Sequence, residues 1–352
     1  MRSFNPPINQ GAVLRNHPMI RQTNKHNVYK NIAAFSALAL MSFSTFAQTA
    51  AWPSPDKPIQ ITVPGPGGGG TGDTLARMLA EQLASRLKTS VIIENKPGAN
   101  GNIGAAAAAK YAPDGYRFLF SWAGTLAVSP NLYATPGFDA QKDFTPIGLI
   151  CDVPNILVVN NNQPVKTIQE FIDYARANPG KLNFGSTGIG SSMHLAGELF
   201  MNETQTKMVH VPYNAPSVAT TNLMANDIQL MFQLIPGIAG QVKADKVRAI
   251  AIMSPTRSPA LPDVPTTTEL GFPKLLSSTW FALLAPKGTP DAIVQRVNLE
   301  LNQILKDPEF RKKLSDVGAT PMGGTPEDLS KYLQSEIVKW GDVIKAAGIK
   351  NQ

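Results

Sequence analysis

Apolar Ile59, Ile61 and Val63 alternate with polar neighbours, the two-residue period of a strand, and from Leu75 onward Met78, Leu79, Leu83 and Leu87 return at helical spacing. The residues between them, 64–74, are mostly glycine and include Gly65, Pro66, Gly67, Gly68, Thr71 and Asp73. This is a strand-to-helix turn almost without side chains. Such a turn lets a guest approach bare amides, and the first turn of the following helix leaves N–H groups unpaired at the positive end of its dipole. An anion is the natural ligand.

Further along, residues 91–94 and 116–121 read as strands, with an alanine-rich helix over 103–110 capped by Asn102 between them. After an apolar run at 147–159 the rhythm restarts. Thr167 and Glu170 form a capping box for a helix that stops near Asn178 and Pro179. Strands follow at 182–184, 208–211, 228–232 and 248–253, with helices between, and late helices begin at Pro290, Pro308 and Pro326. Strand, helix, strand at this spacing predicts an α/β fold of mostly parallel sheets covered on both faces.

A second glycine loop lies in the later half, where Ser186, Thr187, Gly188, Gly190, Ser191 and Ser192 separate the strand at 182–184 from a helix carrying Met193, His194 and Leu195. Two such loops in two lobes can grip one anion from opposite sides. Met193, Leu195 and Leu199 read as core.

The first 47 residues hold Arg2, Arg15, Arg21, Lys25 and Lys30, no acid, and an apolar run at 32–46 ending in Ala47. This has the form of a secretory signal peptide cleaved after Ala47, with Met19 an alternative start. Without these five, 27 basic residues face 25 acids, a net charge of about +2 instead of +7. The basic balance therefore gives no support for nucleic-acid binding. Cys151 is the single cysteine, so no internal disulfide forms, and the 305 residues after position 47 must be held by their core.

Three chemistries compete with simple anion capture. The loop lacks the lysine of an ATP-binding P-loop, but Gly65, Gly67 and Gly70, with Glu94 downstream, formally meet a dinucleotide fingerprint. Ser191 stands one helical turn before His194, the arrangement of a nucleophile and its base in a secreted hydrolase, although a capping serine and a structural histidine read more simply. His194, His210 and Cys151 lack metal-ligand spacing, and no cofactor is expected. Asp73 reads first as a helix-terminus carboxylate, second as a ligand contact.

Several pieces in order carry a resemblance: Val63 and Pro64 with the glycine loop and residues 73–77, residues 94–101, 112–116, 185–198, 211–213, 261–266 and 287–290, and Lys339 with Trp340. From Trp52 to Ile349 the chain resembles the substrate-binding proteins of tripartite tricarboxylate transporters, the Bug family of periplasmic receptors. The resemblance implies a non-enzymatic, monomeric receptor that closes two lobes on a small carboxylate and delivers it to a membrane permease, with a sensor kinase as a further partner. It also implies lobes at 48–150 with 273–352 and at 151–272. The cleft would be lined by residues 64–73, by Ser121, Trp122 and Thr125, and by residues 186–192. The family usually carries a bulky residue where this chain has Gly65. That vacancy, with Trp122, Phe232 and Trp280 as aromatic walls, leans the reading to an aromatic dicarboxylate; the alternative is a merely looser loop and three core aromatics.

Overall fold

The computed structural model describes residues 52–68 and 70–349; the expected leader and its cleavage site lie outside them. The alternation at 59–63 forms strand β1 (Ile59–Val63), and the helical pattern forms α1 (Thr71–Leu87), which buries Leu75, Leu79, Leu83 and Leu87. Next come β2 (Val91–Asn95), α2 (Asn102–Ala108) and β3 (Arg117–Trp122). Asn102 does not cap α2. It lies inside the helix and Gly101 takes the cap position in a left-handed conformation, which suits glycine.

A π-helical turn at Gly124–Val128 leads into the short α3 (Ser129–Leu132) and then β4 (Phe144–Val159), the longest strand. The second half holds α4 (Ile168–Ala177), whose capping box of Thr167 and Glu170 is formed as the sequence predicts. It continues with β5 (Asn183–Ser186), α5 (Ser192–Thr204), β6 (Val209–Pro212), α6 (Pro216–Ala225), β7 (Leu230–Leu234), α7 (Ala239–Lys243) and β8 (Arg248–Ile252). The chain then returns through β9 (Ser278–Pro286), α8 (Asp291–Lys306), α9 (Pro308–Asp316), β10 (Thr320–Gly323) and α10 (Pro326–Ala347).

The strands lie in the order β2, β1, β3, β9, β4, β7, β5, β6, with β8 and β10 also pairing β4. Pairing is parallel among β1, β2 and β3 and among β5, β6 and β7, but antiparallel wherever β4 or β9 takes part. The expectation of mostly parallel sheets therefore fails in the middle, because β4 and β9 are the strands by which the chain enters and leaves the second half. Helices cover both faces in each half, giving a two-lobed α/β fold. One core of the first lobe gathers Ile61, Leu79, Phe120, Val297 and Leu301; one of the second gathers Phe171, Phe184, Phe200 and Phe232.

At roughly 3.3 Å per residue the 16 residues of β4 span about 50 Å, long enough to serve both lobes. It pairs with β9 through Pro154 opposite Ser278, and with β7 and β8 from Asn155 or Ile156 onward. Asn155 is fully buried at this change of partner. Its Nδ2 donates to the Phe232 carbonyl at 2.9 Å, its Oδ1 accepts from Ser277 Oγ at 2.9 Å, and its backbone bonds Ser277 and Met253.

Just before it, Asp152 faces Glu336 of α10, and burial, reinforced by that second acid, pushes its carboxyl up to about 6. The unfolded chain ionises this group near 3.9, so the raised folded value costs stability above pH 6 and nothing below pH 4. Asp152→Asn should raise unfolding free energy by on the order of 1–3 kcal/mol at pH 7.5, with the gain fading toward pH 4 in urea melts.

Candidate functional site

The first glycine loop is held by side chains from the elements beside it. Asn95 Nδ2 donates to the Gly65 carbonyl at 3.1 Å, and Asp73 Oδ2 accepts from the Gly68 N–H at 3.2 Å. Arg77 completes the network, with Nε 3.0 Å from Asp73 Oδ2 and Nη2 3.3 Å from Asn95 Oδ1. Burial raises the pKa of Asp73, but hydrogen bonds from Arg77, Asn95 and Gly68 outweigh it and hold the carboxyl below its ordinary value. Asp73 is thus an ionised clamp on the loop, and it takes up the basic charge of Arg77. Gly70 supplies no side-chain cap, so the first-turn amides of Thr71, Gly72 and Asp73 have no intrahelical acceptor and no side chain from the cap position.

Trp122 covers this helix start. A Cβ added to Gly65 would lie 2.9 Å from its Cη2, and one added to Gly72 would lie 3.0 Å from its Cζ3. The space vacated by the small residue at 65 is therefore filled by the indole, and the expected widening of the mouth is not there. Behind Trp122 stands Phe281, ring centroids 6.1 Å apart. Trp280 and Phe232, the other two expected aromatic walls, are core. Trp280 donates Nε1 to Glu336 at 3.0 Å, and the fully buried Phe232 packs on Phe184 and Phe200. The reason is strand alternation: neighbours along a strand point to opposite faces. Gln233, not Phe232, stands with Thr71 beside Gly237. A Cβ at Gly237 would lie 3.3 Å from Thr71 Oγ1 and 3.4 Å from Gln233 Oε1. Gln233 is fully buried, and its Nε2 has no hydrogen-bond partner among the described residues.

The three expected loops do meet. Asn100 Nδ2 donates to the Gly124 carbonyl at 3.2 Å and lies 3.5 Å from where a Cβ of Gly190 would sit, so residues 121–125 touch the second glycine loop through Asn100. Ser121 is buried at the end of β3, its hydroxyl unpartnered among the described residues. Thr125 donates to the Asn100 carbonyl at 2.8 Å and supports this turn instead of presenting a free hydroxyl. In the second loop Thr187 and Ser192 are half-buried, whereas Ser186 is buried with its Oγ 2.6 Å from His210 Nε2.

Neither enzymatic alternative fits. Ser191 caps α5, accepting from the His194 backbone N–H at 3.3 Å, while the His194 ring accepts from the Gly190 N–H at Nδ1. That ring is not the base of Ser191. Glu94, the would-be ribose ligand, accepts from Tyr111 at 3.1 Å and pairs with Lys96 at 3.1 Å. Asn95, Asn100, His210 and Gln233 were not read as site residues. Asn95 and Asn100 lie in the quoted stretch 94–101, but nothing local marks the other two.

A cavity of about 1780 Å³ lies away from these loops, between α5, residues 253–259, the start of β9 and α10. Its lining holds the acids Asp152, Glu198 and Glu336 and the basic residues Lys207, Arg257, Lys274, Arg311, Lys312 and Lys339, alongside Trp280 and Trp340.

Residues 75–349 match the tripartite tricarboxylate transporter family receptor. The chain belongs to this family. The receptor is 35% identical over 297 residues to protein BugT of Bordetella pertussis, covering 84% of this chain and 91% of that one. It is also similar to solved structures from Rhodopseudomonas palustris. To Rpa4515 with adipate it is 35% identical, with a TM-score of 0.82 over 86% of this chain and all of that one. To MatC with bound malate it is 30% identical, with a TM-score of 0.76 over 83% of this chain and all of that one. As a family of substrate-binding receptors, it is not one of enzymes.

Phe232→Ala should lower the receptor's unfolding free energy by about 3–5 kcal/mol, read in urea melts, because it leaves a cavity among packed aromatics. Gln233→Leu should lower it by about 1–3 kcal/mol, since the buried Leu234 N–H loses the Oε1 acceptor that it holds at 2.9 Å.

Proposed function

We propose that the protein is a periplasmic receptor that captures a small dicarboxylate between the start of α1 and the second glycine loop, and presents its closed form to a tripartite-type membrane permease. The observation that carries this is the uncapped start of α1, roofed by Trp122 and approached from the other lobe by Gln233, whose Nε2 has no partner among the described residues while its Oε1 is held by the Leu234 N–H. One carboxylate would take the α1 amides and the other the hydroxyls and amides of residues 187–192, with Ser121 and Gln233 between. Adipate and malate, bound by the two similar structures, are dicarboxylates of this size. The cavity between α5 and α10 suits such a ligand less well where the half-buried Asp152 stands beside the buried Glu336, two acids that oppose a carboxylate.

The lean to an aromatic dicarboxylate now rests on Trp122 alone, whose ring could stack on a flat acid. The lobes are proposed as residues 48–150 with 273–352 and 151–272, hinged where β4 passes from β9 to β7 and β8. Export with cleavage after Ala47 accompanies the reading, and among the described residues no helix is long and apolar enough to cross a membrane. A monomer with one bound acid suffices, and the same closed surface would serve a sensor kinase.

Thermal melting of the exported protein with adipate, malate, terephthalate, citrate, glutamate and NAD tests the reading. A ligand at a hundredfold excess over its dissociation constant adds about 2.7 kcal/mol of stability. A dicarboxylate should raise the melting temperature, and Ser192→Ala with Gln233→Leu should remove that shift, each protein being read against its own ligand-free melt. A shift with NAD alone, or with none of the acids, contradicts it. The intact mass of the exported chain should begin at Gln48.

A further inference from the structure

Four histidines occur in the chain, two of them, His17 and His26, within the first 47 residues; the other two, His194 and His210, lie together behind the second glycine loop. Their ring centroids are 4.3 Å apart, and both rings pack on Phe184. His194 is buried at the start of α5. Its Nδ1 accepts from the Gly190 N–H at 3.3 Å, which requires that nitrogen to carry no proton, so the ring is neutral with its proton on Nε2. That Nε2 faces Glu198 Oε1 at 3.4 Å. His210 reaches from β6 to the same loop, Nε2 2.6 Å from Ser186 Oγ, and Ser186 Oγ in turn accepts from the Gly188 N–H at 3.0 Å. Both ends of the loop, at residues 186–188 and at 190, are therefore fixed by imidazole nitrogens.

The loop they fix also meets the other lobe. Gly190 has φ +81°, and a Cβ there would run into Leu132 and lie 3.2 Å from Val128. Tyr133 donates its hydroxyl to the Ile189 carbonyl at 3.5 Å. The groups facing the two rings are Glu198 from α5, Ser186 and Phe184 from β5, Tyr213 after β6, which donates its N–H to the Ser186 carbonyl, and Asn100, Val128, Leu132 and Tyr133 from the first lobe by way of the loop. No basic side chain is among them, and Glu198 is the one carboxylate.

We propose that His194 and His210 are the positioning residues of the second glycine loop, which keeps its ligand-holding form against the first lobe only while both rings are neutral, so that acidification opens the cleft and releases the acid. The inference rests on the receptor reading above. A proton on His194 Nδ1 would set one N–H against another at Gly190, and two charged rings 4.3 Å apart repel. Burial, with the charge of His194 adding to it, pushes His210 down to about 4. The sign follows: a ring whose closed-state pKa is below its released value supports closure fully above the released value, near 6.5, and loses that support as the pH falls below it. For His210, affinity at pH 5.5 is about tenfold below its plateau.

The test is titration calorimetry of the exported protein with adipate and with malate at pH 7.5 and 5.5, on wild type, His210→Gln, which keeps a polar group for Ser186 without titrating, and at pH 7.5 on His194→Asn and His194→Leu. Asparagine places a non-titrating acceptor where Nδ1 stands; leucine has none. At pH 7.5 His194→Asn should bind at least tenfold more tightly than His194→Leu. Because the acids themselves titrate near pH 5, the readout is the difference between proteins: wild type should lose about tenfold more affinity than His210→Gln on going to pH 5.5. Parallel losses overturn the proposal.

If neither acid binds, the receptor reading is at fault for those ligands, and the pair is tested without ligand by ring-nitrogen NMR, with His194→Asn and His210→Gln giving the assignments. His194 should show the Nε2–H tautomer at pH 7.5, and its protonation should shift the amides of residues 188–191. An Nδ1–H tautomer, or protonation that leaves those amides unmoved, overturns the proposal.

Discussion

The ion pair between Asp73 and Arg77 sets the character of the whole site. A basic residue one turn into the helix that starts at a glycine loop would ordinarily be free to meet an anion. Here a buried carboxylate takes that charge at 3.0 Å and spends its other contacts on the Gly68 amide, with Asn95 bridging Arg77 to Gly65. The loop is held open, glycine by glycine, without a free positive charge. What remains for an anion is a set of neutral donors: first-turn amides, hydroxyls and the Gln233 amide. Such donors are sufficient for a dicarboxylate in a desolvated cleft, and they avoid the tight grip of a charge-assisted clamp that would oppose release.

The second constraint is mechanical. β4 and β9 run between the lobes as an antiparallel pair, and Asn155 ties the crossing to β7, to residue 253 and to the start of β9 by buried hydrogen bonds. The approaches of Thr71 to Gly237 and of Leu132 to Gly190 are made across this crossing. A ligand that joins the two sides shifts the lobes toward closure by as much as its affinity for the closed form exceeds that for the open one. In the proposed receptor, the closed form would be a product of both loops together.

Much of this was legible in the sequence. Period changes located β1, α1, the capping box of α4 and the proline-led late helices, and the two glycine loops stood out because little else produces so many residues without side chains after a strand. The mixed sheet was not legible, since local alternation says nothing about the direction of a distant partner. The aromatic walls failed for a related reason. Phe232 and Trp280 each sit one residue from the side chain on the other face, Gln233 and Phe281, and a one-residue error in a strand inverts inside and outside. Gly65 could be read as a gap or as room for a neighbour; that Trp122, 57 positions later, fills it is a tertiary fact. The pairing of Ser186 with His210 instead of Ser191 with His194 is likewise set by β5 lying beside β6.

The most direct test of the account is to follow the backbone and glutamine side-chain amides of the ¹⁵N-labelled exported protein by NMR while a dicarboxylate such as adipate is added. Carboxylate capture by neutral donors predicts that the largest downfield shifts fall on the amides of residues 70–73 and 187–192 and on the Gln233 side chain. Shifts centred instead on the amides around Asp152, Glu336 and Trp340, with the two glycine loops unmoved, would contradict it.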